Sequence, residues 1–100
     1  MGCYTIEAMS TLTLEQWKTD LEKEQFGQLW VHEDPAGHLY EEHSHPIDTV
    51  YAVLKGSMIV WLGQEEHVVG EGERFDIEKH ISHRAKIGPQ GCKFLIGCRI

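Results

Sequence analysis

The sequence predicts an all-β protein, a small antiparallel barrel or jelly roll preceded by one short amphipathic helix. Two observations support this prediction. Short runs of apolar and β-branched residues follow one another from residue 28 to the end of the 100-residue chain, and Gly-rich turns separate them. No helical segment lies between these runs, so the helical crossovers that a parallel sheet requires are not expected. The length is that of one domain.

Residues 1–27 are predicted to form an N-terminal arm and a helix, with the arm over residues 1–11. Thr13 and Gln16 have the spacing of a capping box, which marks the start of a helix. Apolar residues then recur on one helix face, namely Leu14, Trp17 and Leu21. We therefore expect a helix over about residues 14–25 that is ended by Gly27 and docks its apolar face on the rest of the domain.

Residues 28–100 are predicted to form the barrel. Eight runs have strand character: LWVHE, HLYEEH, DTVYAVL, SMIVWL, EEHVV, RFDI, SHRAKI and CKFLIGC. Because side chains alternate between the two faces of a strand, His43 and His45 are expected to point inward together. The same alternation predicts further inward residues: Thr49, Tyr51, Val53, Phe75, Ile77, Ile81, His83, Ala85, Ile87, Phe94 and Ile96. A mostly apolar lining with a few polar groups is typical of a ligand pocket.

Charge and composition argue against several classes of partner. The net charge of -7 is unfavourable for a phosphate backbone, so no nucleic-acid partner is expected. No apolar stretch approaches the ~20 residues that span a bilayer, and the N-terminus lacks the pattern of a signal peptide, so no membrane association is expected. The three cysteines, Cys3, Cys92 and Cys98, have no CxxC spacing, which favours buried free thiols and a cytoplasmic location.

His43, His45 and His83 are the candidate metal ligands. Two imidazoles from one strand and a third from a second strand, converging on one point, are what a divalent transition metal requires. Imidazole ligands do not choose among iron, zinc, nickel and manganese. Glu41 is two residues before His43, so its side chain is expected on the same face of the strand, where it can orient a histidine from behind the site. The other histidines are assigned to the surface or to turns: His32, His38, His67 and His80.

Two spacings in the chain resemble the motifs of the cupin family. The first motif is matched by Gly37, five residues, His43-Ser44-His45, three residues, Thr49, six residues and Gly56. The second motif is matched by Gly72, five residues, Glu78-Lys79-His80, two residues and His83. Fifteen residues separate the motifs, the short distance of compact microbial cupins. The resemblance covers residues 28–98 and implies a cupin barrel with His43, His45 and His83 as metal ligands.

The chain departs from the family pattern at two places. The family's glutamate ligand is replaced by Thr49, and the Pro-x-Gly of the second motif is replaced by Glu78 and His80. Three neutral ligands leave the charge of a divalent ion uncompensated, so the ion should attract an anionic ligand or acidify bound water. Three-histidine sites of this kind occur in cupin-type thiol dioxygenases. Thr49 is expected to give a weak oxygen contact or to hydrogen-bond a bound water.

Three functions are consistent with these residues. The first is a metal-dependent enzyme, oxygenase-like or isomerase-like, acting on a small anionic or oxygen-rich metabolite, with Tyr51 as a candidate catalytic acid. The second is a non-catalytic module that binds or senses a metabolite or metal, so whether the protein is an enzyme stays open. The third is a metal-free sugar-modifying cupin. Small cupins commonly dimerise, so the resemblance also implies a homodimer. The N-terminal arm and apolar strand faces such as Val50, Ala52 and Leu54 are expected to supply the interface.

Overall fold

The computed structural model describes residues 13–99. One helix and six strands follow along this part of the chain: α1 Leu14–Lys23, β1 Phe26–Asp34, β2 Leu39–His43, β3 Asp48–Leu62, β4 Glu65–Gly70, β5 Arg74–Ile77 and β6 His83–Arg99. The predicted all-β class with one N-terminal helix is confirmed. The predicted arm, with Cys3, lies outside the described residues. Over residues 13–99, no helix is both long enough and apolar enough to cross a membrane.

β3 and β6 are the central strands of the sheet. They pair with each other along most of their length, and every strand pairing is antiparallel. β6 also pairs with β1 and β2, while β3 also pairs with β4 and β5. The antiparallel sheet that the tight turns predict is therefore present, and its two long strands connect all the others.

The eight predicted runs form six strands, because two pairs of runs are continuous. The chain passes through Gly56 without a break in β3, and through Gly91 without a break in β6. Both glycines have φ near +80°, at 83° and 81°, and a register shift in the β3–β6 ladder lies on each side of Gly56. An extra residue in a ladder bends and twists a strand without ending it.

α1 begins as its sequence predicts and ends earlier. Thr13 and Gln16 form the full capping box: the hydroxyl of Thr13 accepts from the Gln16 backbone N–H, and the Gln16 side chain accepts from the Thr13 backbone N–H. The helix ends at Lys23 rather than near Gly27. Gln25, with φ 72°, supplies the left-handed turn that we assigned to glycine, and Phe26 already belongs to β1.

The apolar face of α1 covers one face of the sheet. Trp17 and Leu21 pack in a cluster with Phe26, Val50, Ala52 and Leu95. Val50 and Ala52 have no exposed surface. Our prediction that these two residues offer a dimer interface is therefore wrong, because the chain's own helix buries them. Arg74 adds a polar connection, since its guanidinium binds both carboxylate oxygens of Glu24 at 2.7 and 2.9 Å.

The opposite face of the sheet lines the interior. Most of the predicted inward residues are buried there in one cluster: Tyr51, Val53, Ile77, Ala85, Ile87 and Phe94, with Phe75 and Ile96 packed against it. Ile81 is the exception, because 42% of its surface is exposed. β6 begins only at His83, so strand alternation does not extend back to Ile81. Cys92 is buried as expected, and Cys98 is half-buried.

Candidate metal centre

The three candidate histidines meet where β2 ends and β6 begins. His43 is the last residue of β2, and it stands directly opposite His83, the first residue of β6. His45 follows in the turn after β2. Residues 40 positions apart in sequence are thus brought together by antiparallel pairing, since side chains directly opposite each other on one face of a sheet are in contact.

The three imidazole rings contact one another. Their centroids are 4.3 Å apart for His43 and His83, 4.9 Å for His43 and His45, and 5.2 Å for His45 and His83. One nitrogen from each ring lies within 4.8 Å of the other two. Three nitrogens that are each about 2.1 Å from a shared ion lie roughly 3.0–3.6 Å from one another. The most widely separated of these nitrogens would therefore have to approach by about 1 Å or more to share one ion.

The backbone determines which nitrogen faces the centre. His43 Nδ1 lies 2.6 Å from the carbonyl oxygen of Glu41, and His83 Nδ1 lies 3.0 Å from that of Ile81. A carbonyl oxygen only accepts, so Nδ1 must be the protonated nitrogen in each ring. The lone pair of the neutral imidazole is then on Nε2, as a metal ligand requires. Glu41 thus orients His43 with its backbone carbonyl, whereas we had expected its side chain.

Two of the Nε2 atoms are buried without a hydrogen-bond partner, those of His45 and His83. A buried polar atom without a partner costs free energy unless a water or an ion satisfies it. Burial lowers the pKa of His45, and the neighbouring His43 and His83 lower it further. Burial likewise lowers the pKa of His83 despite the opposing hydrogen bond to Ile81. Neutral rings with free, convergent lone pairs fit a divalent transition metal.

Thr49, at the position of the expected glutamate, is buried with only 1% of its surface exposed. Its hydroxyl donates to the carbonyl oxygen of Ile47 at 3.3 Å, so its proton already has a partner. Over residues 13–99, no carboxylate or thiolate joins the three histidines in a potential ligand cluster. The donor set is therefore neutral.

A cavity of about 230 Å³ lies beside the histidines. His43 and His45 line it together with an apolar and aromatic set: Trp30, His32, Tyr40, Tyr51, Met58, Ala85, Ile87, Phe94 and Ile96. Burial raises the pKa of Tyr51 to about 12. Its hydroxyl therefore keeps its proton at neutral pH and offers a donor to a ligand.

A family model for a cupin domain matches residues 30–96, about two thirds of the chain. The chain belongs to the cupin family. A search of curated proteins gave no significant match. Among solved structures, this cupin is similar to a cupin-2 domain protein from Shewanella frigidimarina, with 18% identity and a TM-score of 0.63 over 88% of this chain and 93% of that one.

Two other solved structures share the fold over part of their length. The cupin superfamily protein from Desulfitobacterium hafniense has 19% identity and a TM-score of 0.62, over 72% of this chain and 63% of that one. The DMSP lyase DddQ from Ruegeria pomeroyi has 23% identity and a TM-score of 0.66, over 72% of this chain and 37% of that one. This cupin thus spans less than two thirds of either protein, and the likeness concerns the fold alone.

The second departure from the cupin motifs has a backbone consequence. His80, at the position of the family's glycine, has φ 68°, in the left-handed region that glycine enters most easily. Its backbone N–H donates to the carbonyl oxygen of His45 at 2.7 Å, so the turn before β6 supports the turn that carries His45. The side chain of His80 is exposed, as predicted. His80 contributes to the site through its backbone.

Four residues of the cavity were not predicted from the sequence: Trp30, His32, Tyr40 and Met58. His32 had been assigned to the surface, and half of it is exposed, but its ring also packs on Phe94 with centroids 5.5 Å apart. β1 pairs with β6 so that His32 stands opposite Phe94, a residue predicted to point inward. Partners directly opposite share a face, so the register would have revealed His32. The sequence alone does not supply that register.

Proposed function

We propose that this cupin binds one divalent transition metal through His43, His45 and His83, and that a small molecule in the adjoining cavity is its ligand. Three observations support the proposal most strongly: the rings converge, the Nδ1 atoms of His43 and His83 already have backbone partners, and the buried Nε2 atoms of His45 and His83 have none. When bound, the ion would supply Lewis-acid chemistry or, if redox-active, dioxygen chemistry. Iron, zinc, nickel and manganese are all consistent with the ligands.

A metal-dependent enzyme is the first candidate activity. The neutral donor set leaves the ion's charge to be balanced by the ligand, which favours an anionic or oxygen-rich small molecule. Tyr51 is proposed as the hydrogen-bond donor that would hold such a molecule, because its hydroxyl keeps its proton at neutral pH. The raised pKa, about 12, makes Tyr51 a weak acid for protonating the ligand. His43 and His45 line the same cavity as Tyr51, so one ligand can reach both.

A non-catalytic binding module is the second candidate, and the lining of the cavity favours it. Most of the lining residues are apolar or aromatic and offer few groups for proton transfer. The same lining argues against the third function, a sugar-modifying cupin, because each buried sugar hydroxyl needs a hydrogen-bond partner. Elemental analysis helps to distinguish the enzyme from the binding module, because a bound redox metal would support an oxygenase.

The metal site is tested with the variant His83→Ala. Protein purified without an affinity tag is expected to carry one metal ion per chain, and the variant to carry less than about a tenth of that, because its fixed third ligand is gone. His67→Ala is the matched control. His67 is a partly exposed histidine beside the carboxylate of Glu65, away from the cluster, and its loss should leave the metal content unchanged.

The metal content is measured by inductively coupled plasma mass spectrometry, and circular dichroism checks that each variant is folded. A folded His83→Ala protein that retains one ion per chain would show that the three histidines do not form the site. Loss of metal from the His67→Ala control would show that the metal binds elsewhere on the surface.

A further inference from the structure

Tyr40, Asp34 and His32 form a second hydrogen-bonded group at the cavity. This group is separate from His43, His45 and His83. Tyr40 and His32 both line the cavity, and Asp34 lies behind them with 9% of its surface exposed. The hydroxyl of Tyr40 donates to Asp34 Oδ2. His32 Nε2 lies 3.3 Å from the other oxygen, Asp34 Oδ1. A nearly buried carboxylate thus has partners on both oxygens, and both partners reach the cavity.

The position of these groups follows from the strands. His32 and Asp34 are alternate residues near the end of β1, so their side chains leave the same face. Tyr40 is the second residue of β2, which returns after the turn at residues 35–38. His38 packs edge-on against the ring of Tyr40, with centroids 4.8 Å apart, and so limits its rotation. This packing and the hydrogen bond to Asp34 together hold the Tyr40 side chain in one position on the cavity wall.

The hydrogen bond to Asp34 decides what Tyr40 can offer a ligand. A phenol hydroxyl has one proton and two lone pairs, and here the proton is directed to the carboxylate. Burial, together with the hydrogen bond to Asp34 and its charge, raises the pKa of Tyr40 above its ordinary value, so the proton stays in place. Only the lone pairs of Tyr40 remain for the cavity. Tyr40 can therefore accept a hydrogen bond from a ligand but not donate one.

We propose that Tyr40, positioned by Asp34, is a second recognition point of the cavity and selects ligands that carry a hydroxyl or amino donor on a compact apolar body. Asp34 acts through Tyr40 and is a positioning residue. A ligand that offers a carbonyl or ether oxygen at this point would meet lone pairs and be rejected. The inference rests on the proposed function only in taking this cavity as the ligand site.

The size and lining of the cavity define the ligand body. A cavity of about 150 Å³ holds benzene, so 230 Å³ corresponds to roughly nine non-hydrogen atoms. Met58, Ile87 and Phe94 give this space an apolar wall that suits one aromatic ring or a branched aliphatic chain. Phenol, toluene and anisole are therefore suitable probes. Phenol and toluene have the same shape, and only phenol can donate, whereas anisole can only accept.

The test compares the affinities of these three probes by ligand-observed NMR titration of the full chain, as purified and again after treatment with a chelator. The quantity measured is the ratio of phenol affinity to toluene affinity, which removes differences that the two probes share in every variant. In Tyr40→Phe this ratio is expected to fall roughly fivefold, the loss of one hydrogen bond. Asp34→Asn should lower it as well and raise the relative affinity for anisole, because the Tyr40 proton is then free to turn towards the cavity.

Glu33→Gln is the matched control. Glu33 is the exposed neighbour of Asp34 on β1, and it stands opposite Lys93, so the variant removes a charge next to the site without altering the cavity. The ratio should not change in this variant. Equal toluene affinity in all variants shows that the cavity is intact; if Asp34→Asn fails to fold, Tyr40→Phe decides the result.

An unchanged ratio in Tyr40→Phe would overturn the proposal, as would a ratio that falls equally in Glu33→Gln. A ratio that falls in His83→Ala but not in Tyr40→Phe would also overturn the proposal, because the phenol hydroxyl would then be bound by the unpartnered ring nitrogens. Metal content, measured on the same samples, tests the proposed function separately. Selectivity at Tyr40 is expected to persist in the chelator-treated protein whether or not the histidines bind an ion.

Discussion

The contacts of the two ring nitrogens distinguish a candidate ligand from an ordinary histidine in this protein. His67 Nε2 lies 3.3 Å from the exposed carboxylate of Glu65, in contact with solvent. His83 is fully buried, its Nδ1 faces the carbonyl oxygen of Ile81, and its Nε2 has no partner. Burial disfavours the charged form of His83 by more than the hydrogen bond to Ile81 and the charge of Glu42 favour it, so the neutral ring, with its lone pair available, is the stable form.

Replacing Thr49 with glutamate tests whether position 49 can reach the ion. Thr49→Glu should tighten zinc binding by roughly tenfold or more, about 1.4 kcal/mol, because an anionic ligand joins three neutral ones. It should also destabilise the metal-free protein, since the carboxylate enters a site with 1% exposure. Zinc affinity is measured by competition with a chelating dye. Thr49→Gln is the control of equal size, and equal affinities in the two variants would show that side chains at position 49 do not contact the ion.

The histidines of the centre could be predicted from the sequence, whereas their orientation could not. His43, His45 and His83 follow from alternation and motif spacing. The partners that orient them, Glu41 and Ile81, act through backbone carbonyls, and any residue type supplies a carbonyl. The sequence therefore contains no residue-specific signal for that half of the site.

At the scale of elements, local signals predicted the helix start and the strand-forming runs, and long-range contacts decided the rest. The capping box of Thr13 could be predicted from the sequence because both of its partners lie within one helical turn. The Lys55-Gly56 pair has the composition of a turn, yet β3 continues through it. The reason is a contact with β6, far away in sequence: a Cβ on Gly56 would lie 2.1 Å from the carbonyl oxygen of Gly91.

Gly56→Ala tests this crossing of the two central strands. The substitution adds backbone strain at φ 83° and a clash with the backbone of β6, which cannot move without breaking the ladder. We expect a loss of more than about 3 kcal/mol in the free energy of unfolding, measured with urea. Gly63→Ala is the matched control, because its φ of 63° is also left-handed but nothing lies within 4 Å of the added Cβ. Its expected loss is the strain alone, about 1–2 kcal/mol. Equal losses in the two variants would contradict a role for the contact with Gly91.

At the scale of the whole molecule, the three-histidine cluster and the barrel share the same strands. His83 begins the strand that pairs with β1, β2 and β3, and His43 ends the strand opposite. Unfolding the sheet therefore separates the three histidines and exposes each of them to water. Any difference in proton affinity between the folded and unfolded states of these rings must then appear as a pH dependence of global stability.

The sign of that dependence follows from the lowered pKa values of His45 and His83. In the unfolded chain both rings return to the ordinary histidine pKa of about 6.5 and take up protons below it, while the folded protein still excludes them. The contribution of these two rings to the free energy of unfolding of the metal-free protein should thus be constant above about pH 7.5. As the pH falls through 6.5 towards the lowered folded values, this contribution should decrease by up to about 1.4 kcal/mol per pH unit for each ring.

Urea unfolding in chelator at pH 7.5, 6.5 and 5.5 measures this. The double variant His45→Gln with His83→Gln should flatten the curve, whereas His38→Gln, which removes an exposed histidine, should not. An equally steep fall in the double variant would mean that other groups carry the linkage.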